Sequence, residues 1–135
     1  MEITLAGAGD AGELARLDQH VAPAVLAEKI GRGELLVARD GAIVGWLRFG
    51  YFWDSIPFMN MLGVVEARRG RGIGTRLTLH WEGLMAGRGH PQVMTSTLAN
   101  ERGQFLYRKL GYVDCGALLL SNEPLEILFL KRIKD

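Results

Sequence analysis

The sequence has little or none of several features that mark particular classes of protein. Cys115 is the only cysteine among 135 residues, which excludes an internal disulfide and a zinc site built from several cysteines. Sixteen Lys and Arg face fifteen Asp and Glu, so the net charge is only +1. A protein that contacts many phosphates of a nucleic acid carries a larger basic excess, so we expect no nucleic-acid partner.

Long apolar runs are missing as well. The longest, around Ala117–Leu120, has the length of a strand and not of a transmembrane helix. The opening residues, Met1 to Thr4, have neither the basic nor the apolar part of a signal peptide. We therefore expect a cytoplasmic protein without a membrane partner, and a chain of this length fits one domain over residues 1–135.

Periodicity along the chain predicts an α/β fold built on one main sheet, in the approximate order β-αα-β-β-β-α-β-α-β-β. Four predicted elements bear on the site. They are strands over Ala42–Phe52 and Phe58–Val65, an amphipathic helix from Ile73 to Gly87, and a helix over Glu101–Leu110 with Asn100 as its N-cap. Cys115 falls within a further predicted strand, where a buried and unreactive thiol is expected.

The turn between the fourth strand and the next helix is rich in glycine and arginine. It reads Arg68-Arg69-Gly70-Arg71-Gly72-Ile73-Gly74-Thr75-Arg76, with four arginines and no acid. Glycine lets the backbone approach a ligand closely, and the first N–H groups of a helix have no partner within it. These donors, the helix dipole and the local positive charge favour a polyanionic small molecule held at one spot.

Two common phosphate-binding loops do not fit this turn. A Walker A loop needs Gly-Lys-Ser/Thr, whereas Gly74-Thr75-Arg76 has no lysine. A dinucleotide fingerprint needs Gly-x-Gly-x-x-Gly, and its third glycine would fall on Thr75 or Leu77. A tight turn that uses glycine only for its shape stays open as the plainest alternative.

The turn resembles the acetyl-CoA pyrophosphate loop of the GNAT acetyltransferase superfamily, whose pattern is Arg/Gln-x-x-Gly-x-Gly/Ala. Arg69, Gly72 and Gly74 match that pattern. The resemblance implies a single-domain GNAT fold, with a mixed, mostly antiparallel central sheet that is splayed at the fourth strand and has helices on both faces. It also implies acetyl-CoA as cofactor.

A second block agrees with the first. The superfamily carries Asn-x-x-Ala-x-x-x-Tyr-x-x-x-Gly-Phe/Tyr further along the chain, and Asn100, Tyr107, Gly111 and Tyr112 match it in register. Gly103 departs from the usual alanine but is also small. Two patterns in the right order, each on the expected element, are far more specific than either one alone.

The resemblance implies roles for these residues. Backbone N–H groups of the turn would hold the pyrophosphate, and the residues concerned are Arg69, Gly70, Arg71, Gly72, Ile73, Gly74 and Thr75. The backbone of Val64 and Val65 would lie along the pantetheine arm, and Asn100 would bind that arm or hold a water. Tyr107 would donate a proton to the departing thiolate. The Val65 amide is our candidate for the donor to the oxyanion.

The acceptor side is less defined. Many family members use a carboxylate on the fourth strand to deprotonate the amine, but Phe58–Val65 contains none, and Asn60 can only position a water. Aromatic residues crowd the segment from Trp46 to Phe58. They either pack in the core or line an acceptor pocket, for which the candidate substrate-binding residues are Trp53, Asp54, Phe58 and Asn60.

The sequence thus predicts transfer of an acetyl group from acetyl-CoA to a primary amine of a small molecule or peptide, by direct attack in a ternary complex. The three histidines share no metal-ligand spacing, so no metal site is expected. An acyl-CoA-binding sensor without turnover and a nucleotide-binding module are the alternatives. The identity of the acceptor and the formation of a homodimer are left open.

Overall fold

A computed structural model describes residues 1–135. The strands are β1 (Glu2–Leu5), β2 (Leu35–Asp40), β3 (Ala42–Phe52), β4 (Ile56–Val64), β5 (Gln92–Leu98), β6 (Val113–Leu118) and β7 (Glu126–Arg132). The α-helices are α1 (Ala11–Leu17), α2 (Pro23–Gly31), α3 (Ile73–Gly87) and α4 (Gly103–Lys109). Short 3₁₀ turns cover Ala8–Asp10 and Glu66–Arg68. None of the helices combines the length and the apolar character needed to cross a bilayer.

The strands form one seven-stranded sheet in the order β1-β2-β3-β4-β5-β7-β6. The pairs β1–β2, β2–β3, β5–β7 and β6–β7 are antiparallel, and β4–β5 is parallel. The β4–β5 register contains two residue pairs, Phe58 with Met94 and Met59 with Thr95. This confirms the predicted α/β class and the mixed, mostly antiparallel sheet, and a short parallel register is what a sheet that splays at β4 requires.

The chain divides into two compact units, Met1–Gly50 with Met61–Trp81 and Tyr51–Asn60 with Glu82–Asp135. A single domain over residues 1–135 stays a prediction. The first unit has a core of buried side chains from its helices and strands, which are Ala6, Leu14, Leu26, Leu35, Val37, Ile43 and Trp46. Burial of this apolar area is the main term that stabilises the unit.

Two glycines of the first unit leave room for close packing, Gly45 for the first turn of α3 and Gly63 for the Trp46 ring. A Cβ built on Gly45 would lie 2.9 Å from Ile73 Cγ2 and 3.0 Å from Leu77 Cδ1. A Cβ built on Gly63 would lie 2.2 Å from Trp46 Cζ2. Side chains at these positions would therefore push the first turn of α3 and the Trp46 ring away from their present contacts.

In the second unit, β5 pairs with β7 over its whole length, from Gln92 with Arg132 to Leu98 with Glu126. A polar network braces this unit. The Tyr112 hydroxyl donates to Glu82 Oε2 at 2.9 Å, and Lys131 Nζ lies 2.7 Å from Glu82 Oε1. Because Glu82 is only 7% exposed, its charge depends on these partners.

Two local expectations are wrong. The last helix begins at Gly103 and not at Glu101, so Asn100 is an exposed turn residue and not the N-cap. The Gln104 side chain donates to Ala99 O at 2.7 Å and to Glu101 O at 3.2 Å, which holds this segment as a turn. Cys115 lies in β6 as predicted, but it is exposed and not buried.

Candidate active site

The turn from β4 to α3 in the first unit has the backbone that a phosphate loop needs. Gly70 and Gly72 have φ of +75° and +81°, in the left-handed region that only glycine adopts without strain. The first α-helical bond runs from Arg76 N–H to Gly72 O at 3.0 Å. The N–H groups of Ile73, Gly74 and Thr75 precede that bond and are therefore free to bind a ligand.

The arginines of this turn divide into two engaged and two open side chains. Arg68 pairs with Asp40 at 2.8 Å, and Arg69 Nε donates to Val64 O at 3.1 Å. The hydrogen bond and charge of Arg68 lower the pKa of the Asp40 carboxyl, so Asp40 stays ionised and offsets one arginine. The side chains of Arg71 and Arg76 are exposed and form no hydrogen bond or ion pair. They are the cations available to an anionic ligand.

The structure contradicts the role expected for the Val65 amide. This N–H donates to Val44 O at 2.9 Å, so its single hydrogen is already engaged. Val65 also packs against the hydrophobic cluster of the first unit. An oxyanion needs a donor that is free before the reaction begins, so Val65 as it stands does not supply one.

Tyr107 in the second unit is a buried phenol with a polar contact. It is 7% exposed and lies in α4, with its ring 5.7 Å from Tyr112 and 6.0 Å from Phe129. Burial raises the pKa of the Tyr107 phenol above 10.0, and a hydrogen bond with the Thr95 hydroxyl offsets part of that rise. Tyr107 therefore holds its proton at neutral pH, as a general acid must.

Thr95 ties this phenol to β4. Its Oγ1 donates to Met59 O at 3.0 Å, and Met59 is its partner in the β4–β5 register. Phe58 and Asn60 flank Met59 directly, and Asn60 is exposed. The structure thus brings these two candidate acceptor residues to the segment of β4 that Thr95 contacts.

Trp53 and Asp54 are the central residues of a tight turn between β3 and β4, with φ of 54° and 60° and a bond from Ser55 N–H to Phe52 O at 3.2 Å. The Phe52 ring lies 4.7 Å from the Trp53 ring and 6.1 Å from the Phe58 ring, so it connects the turn to β4. Trp53 is 78% exposed and therefore does not pack in the core. The contact of Trp53 and Asp54 with an acceptor stays a prediction.

The sequence did not reveal a polar cluster in the first unit. Asp18 is fully buried and accepts a hydrogen bond from Arg48 Nε at 2.8 Å. The other carboxylate oxygen lies 3.6 Å from His20 Nδ1 and accepts the His20 backbone N–H at 3.4 Å. The His20 side chain is 70% exposed. A buried carboxylate thus lies beside an exposed imidazole, at a distance longer than a hydrogen bond.

Comparisons with known proteins point to one family. The family model of the acetyltransferase (GNAT) domain matches residues 31–114. No curated protein matches the sequence.

Solved structures of acetyltransferases share the fold over nearly the whole chain. Ard1 from Thermoplasma volcanium is 16% identical, with a TM-score of 0.86 and coverage of 99% of this chain and 98% of its own. The aminoglycoside 6'-N-acetyltransferase from Enterococcus faecium is 22% identical, with a TM-score of 0.81 and coverage of 100% and 98%. An aminoglycoside 6'-N-acetyltransferase complexed with coenzyme A is 21% identical, with a TM-score of 0.81 and the same coverage.

The match of the family model covers more than half of the chain and includes the β4–α3 turn. Members of this family use acetyl-CoA. The chain therefore belongs to the GNAT acetyltransferase family.

Proposed function

We propose that this protein transfers the acetyl group of acetyl-CoA to a primary amine by direct attack in a ternary complex. The observation that carries the proposal is the β4–α3 turn, in which Gly70 and Gly72 adopt left-handed φ values and the first amides of α3 are free. A Cβ built on either glycine would meet nothing within 4 Å. Glycine is therefore favoured at these positions by the backbone conformation and not by close packing.

The turn has the donors that a pyrophosphate needs. The amides from Gly70 to Thr75 would hold its oxygens, and Arg71 would add positive charge. The Arg69 side chain ties the turn to the end of β4 through Val64 O. Its backbone N–H donates to Glu66 O at 3.3 Å, so the amides that follow it are the donors available to the pyrophosphate. When bound, acetyl-CoA supplies an acetyl group activated as a thioester, and the Val64–Val65 backbone and Asn100 would contact its pantetheine arm.

Tyr107 is the proposed general acid. The amine nitrogen forms a bond to the acetyl carbon, the carbon–sulfur bond breaks, and the sulfur takes the phenolic proton of Tyr107. Because burial raises the pKa of this phenol, Tyr107 is protonated at neutral pH and its proton is available when the thiolate leaves.

We further propose that His20 takes the proton of the attacking amine. No carboxylate lies in β4 to do so. His20 lies between Leu17 and Val21, which pack against the same hydrophobic cluster as Met61 and Val65. Asp18 is the charged group beside the imidazole, and its ion pair with Arg48 anchors the loop two residues before His20.

Substitution of His20 tests this role. We expect His20→Asn to lower kcat/KM by about 10²-fold, because it removes the proton acceptor. His90→Asn is the matched control and should leave kcat/KM unchanged. An unchanged kcat/KM in His20→Asn would remove His20 from the mechanism.

The acceptor is a small-molecule or peptide amine, and Phe58 and Asn60 are the residues we propose to contact it. The solved relatives named for aminoglycoside acetylation favour small molecules as the first acceptors to test. The proposal includes a cytoplasmic location, no nucleic-acid or membrane partner, and association of two copies.

Release of free CoA thiol across a panel of amines tests the proposal. The panel comprises an aminoglycoside, a polyamine, an aromatic amine and peptides with a free N-terminus. At least one amine should raise thiol release above hydrolysis, and Tyr107→Phe should abolish most of that gain. Acetyl-CoA binding with no release for any amine would favour the sensor without turnover. Thermal stabilisation by ATP and not by acetyl-CoA would favour a nucleotide-binding module.

A further inference from the structure

An open groove with a volume of about 480 Å³ lies in the first unit, between β1 and α3. Its lining residues are Ile3 of β1 and Arg76, Leu79 and His80 of α3. Small-molecule sites in proteins have volumes of roughly 300–1,000 Å³, so this space is large enough for a ligand. We call it the β1–α3 groove.

Two of the lining side chains carry nitrogen donors that have no partner. The Arg76 and His80 side chains are exposed and form no hydrogen bond or ion pair. They are four residues apart on α3, which brings their Cβ atoms to within about 5–6 Å of each other. One anionic group can therefore accept hydrogen bonds from both side chains.

No carboxylate competes for these donors within the groove. The first acid of α3 is Glu82, which is buried and paired with a lysine. Glu2 precedes Ile3 on β1, but the alternation of a strand points it to the opposite face of the sheet, where its register partner is Arg39. The guanidinium of Arg76 therefore sets a positive potential in the groove.

The rest of the groove is apolar. Leu79 is 47% exposed on α3, and Ile3 is half-buried on the strand that faces it. A ligand with an apolar body would remove both side chains from water while its anionic end contacts Arg76. Since the guanidinium carries one permanent charge, a monoanion balances it. A carboxylate also fits the fork of two N–H donors that a guanidinium presents.

We propose that the β1–α3 groove binds a small carboxylate on a short hydrocarbon chain, as in a medium-chain fatty acid. The carboxylate would accept hydrogen bonds from Arg76 and His80, and the chain would lie between Ile3 and Leu79. The groove is distinct from the segment of β4 proposed for catalysis, because β2 and β3 separate β1 from β4 in the sheet. This inference is independent of the proposed acetyl transfer.

Titration of the full chain with octanoate, followed by the methyl NMR signals of Ile3 and Leu79, tests the site. We expect saturable shifts at both residues. Arg76→Gln should weaken octanoate binding at least about tenfold, because it removes the charged hydrogen bonds. Leu79→Ala should weaken it about fivefold, because it removes apolar contact. Arg88→Gln and Val25→Ala are the matched controls on exposed residues outside the groove, and both should bind as the wild type does.

Three comparison ligands separate this carboxylate from other occupants. Octanol lacks the charge, octylamine reverses it and inorganic phosphate lacks the chain, so each should bind at least about tenfold more weakly than octanoate. Equal binding of any one of them overturns the proposal. Displacement of octanoate by CoA also overturns it, because the groove would then belong to the cofactor site.

Two further results would contradict the proposed site. One is the lack of saturable shifts with octanoate up to about 10 mM, which exceeds the millimolar range expected of so small a ligand. The other is wild-type affinity for octanoate in Arg76→Gln. Unchanged circular dichroism and melting temperature would show that each variant is folded, so a loss of binding reports on the groove itself.

Discussion

Replacement of Gly72 by alanine tests the backbone of the β4–α3 turn directly. Gly72 has φ of +81°, and a Cβ at this position would meet nothing within 4 Å. The substitution therefore changes the backbone preference alone. A left-handed φ costs a residue with a Cβ about 1–2 kcal/mol, so the free turn will relax to another conformation. Binding must then restore the original turn, which weakens CoA by about 5- to 30-fold.

Isothermal titration with CoA measures this loss. Gly83→Ala is the matched control, because Gly83 lies within α3 and a Cβ there also meets nothing within 4 Å. It should leave CoA affinity unchanged and stabilise the helix by about 1 kcal/mol. If Gly72→Ala binds CoA within twofold of the wild type, the turn does not work through its left-handed backbone, and the pyrophosphate assignment loses its basis.

Three further outcomes follow from the structure. Tyr107→Phe should lower kcat by about 10²-fold while CoA affinity stays within twofold, because it removes a proton donor and little contact area; rapid-quench assays and titration separate the two effects. Gly63→Ala should reduce the free energy of unfolding by about 1–3 kcal/mol in urea, because its Cβ would overlap the buried Trp46 ring, and a wild-type midpoint would show that the ring moves freely. Stability should fall as the pH rises above 10, because burial raises the pKa of Tyr107 and Tyr112 in the folded state and the unfolded chain loses those protons first; tyrosinate absorbance that reaches the amplitude of all three tyrosines before the loss of circular dichroism would contradict this.

Elements with a strong local pattern were predictable. β3 spans Ala42–Phe52 as the alternation and the Asp-Gly turn indicate, and α3 spans Ile73–Gly87 as its apolar period indicates. The start of α4 was not predictable, because the Gln104 side chain donates to two carbonyl groups that precede the helix and holds a turn there. A side-chain bond of this kind competes with the helix and leaves no periodic signal.

The residues of the candidate site also divide into those that the sequence could predict and those that it could not. The β4–α3 turn is contiguous, so its glycines and arginines could be found in the sequence. The partner of the Val65 amide could not, because Val44 belongs to another strand. The cluster of Asp18, His20 and Arg48 joins residues 30 positions apart, and no spacing rule connects them.

The three tryptophans differ in ways that an optical experiment can use. Trp46 and Trp81 are buried, and neither indole N–H has a hydrogen-bond partner. Trp53 is exposed in the turn between β3 and β4. Iodide should therefore quench the red-shifted emission of one fluorophore and spare the other two. The part of the tryptophan fluorescence that iodide does not quench therefore reports on the core. The part that iodide quenches reports on the β3–β4 hairpin, and neither measurement needs a label.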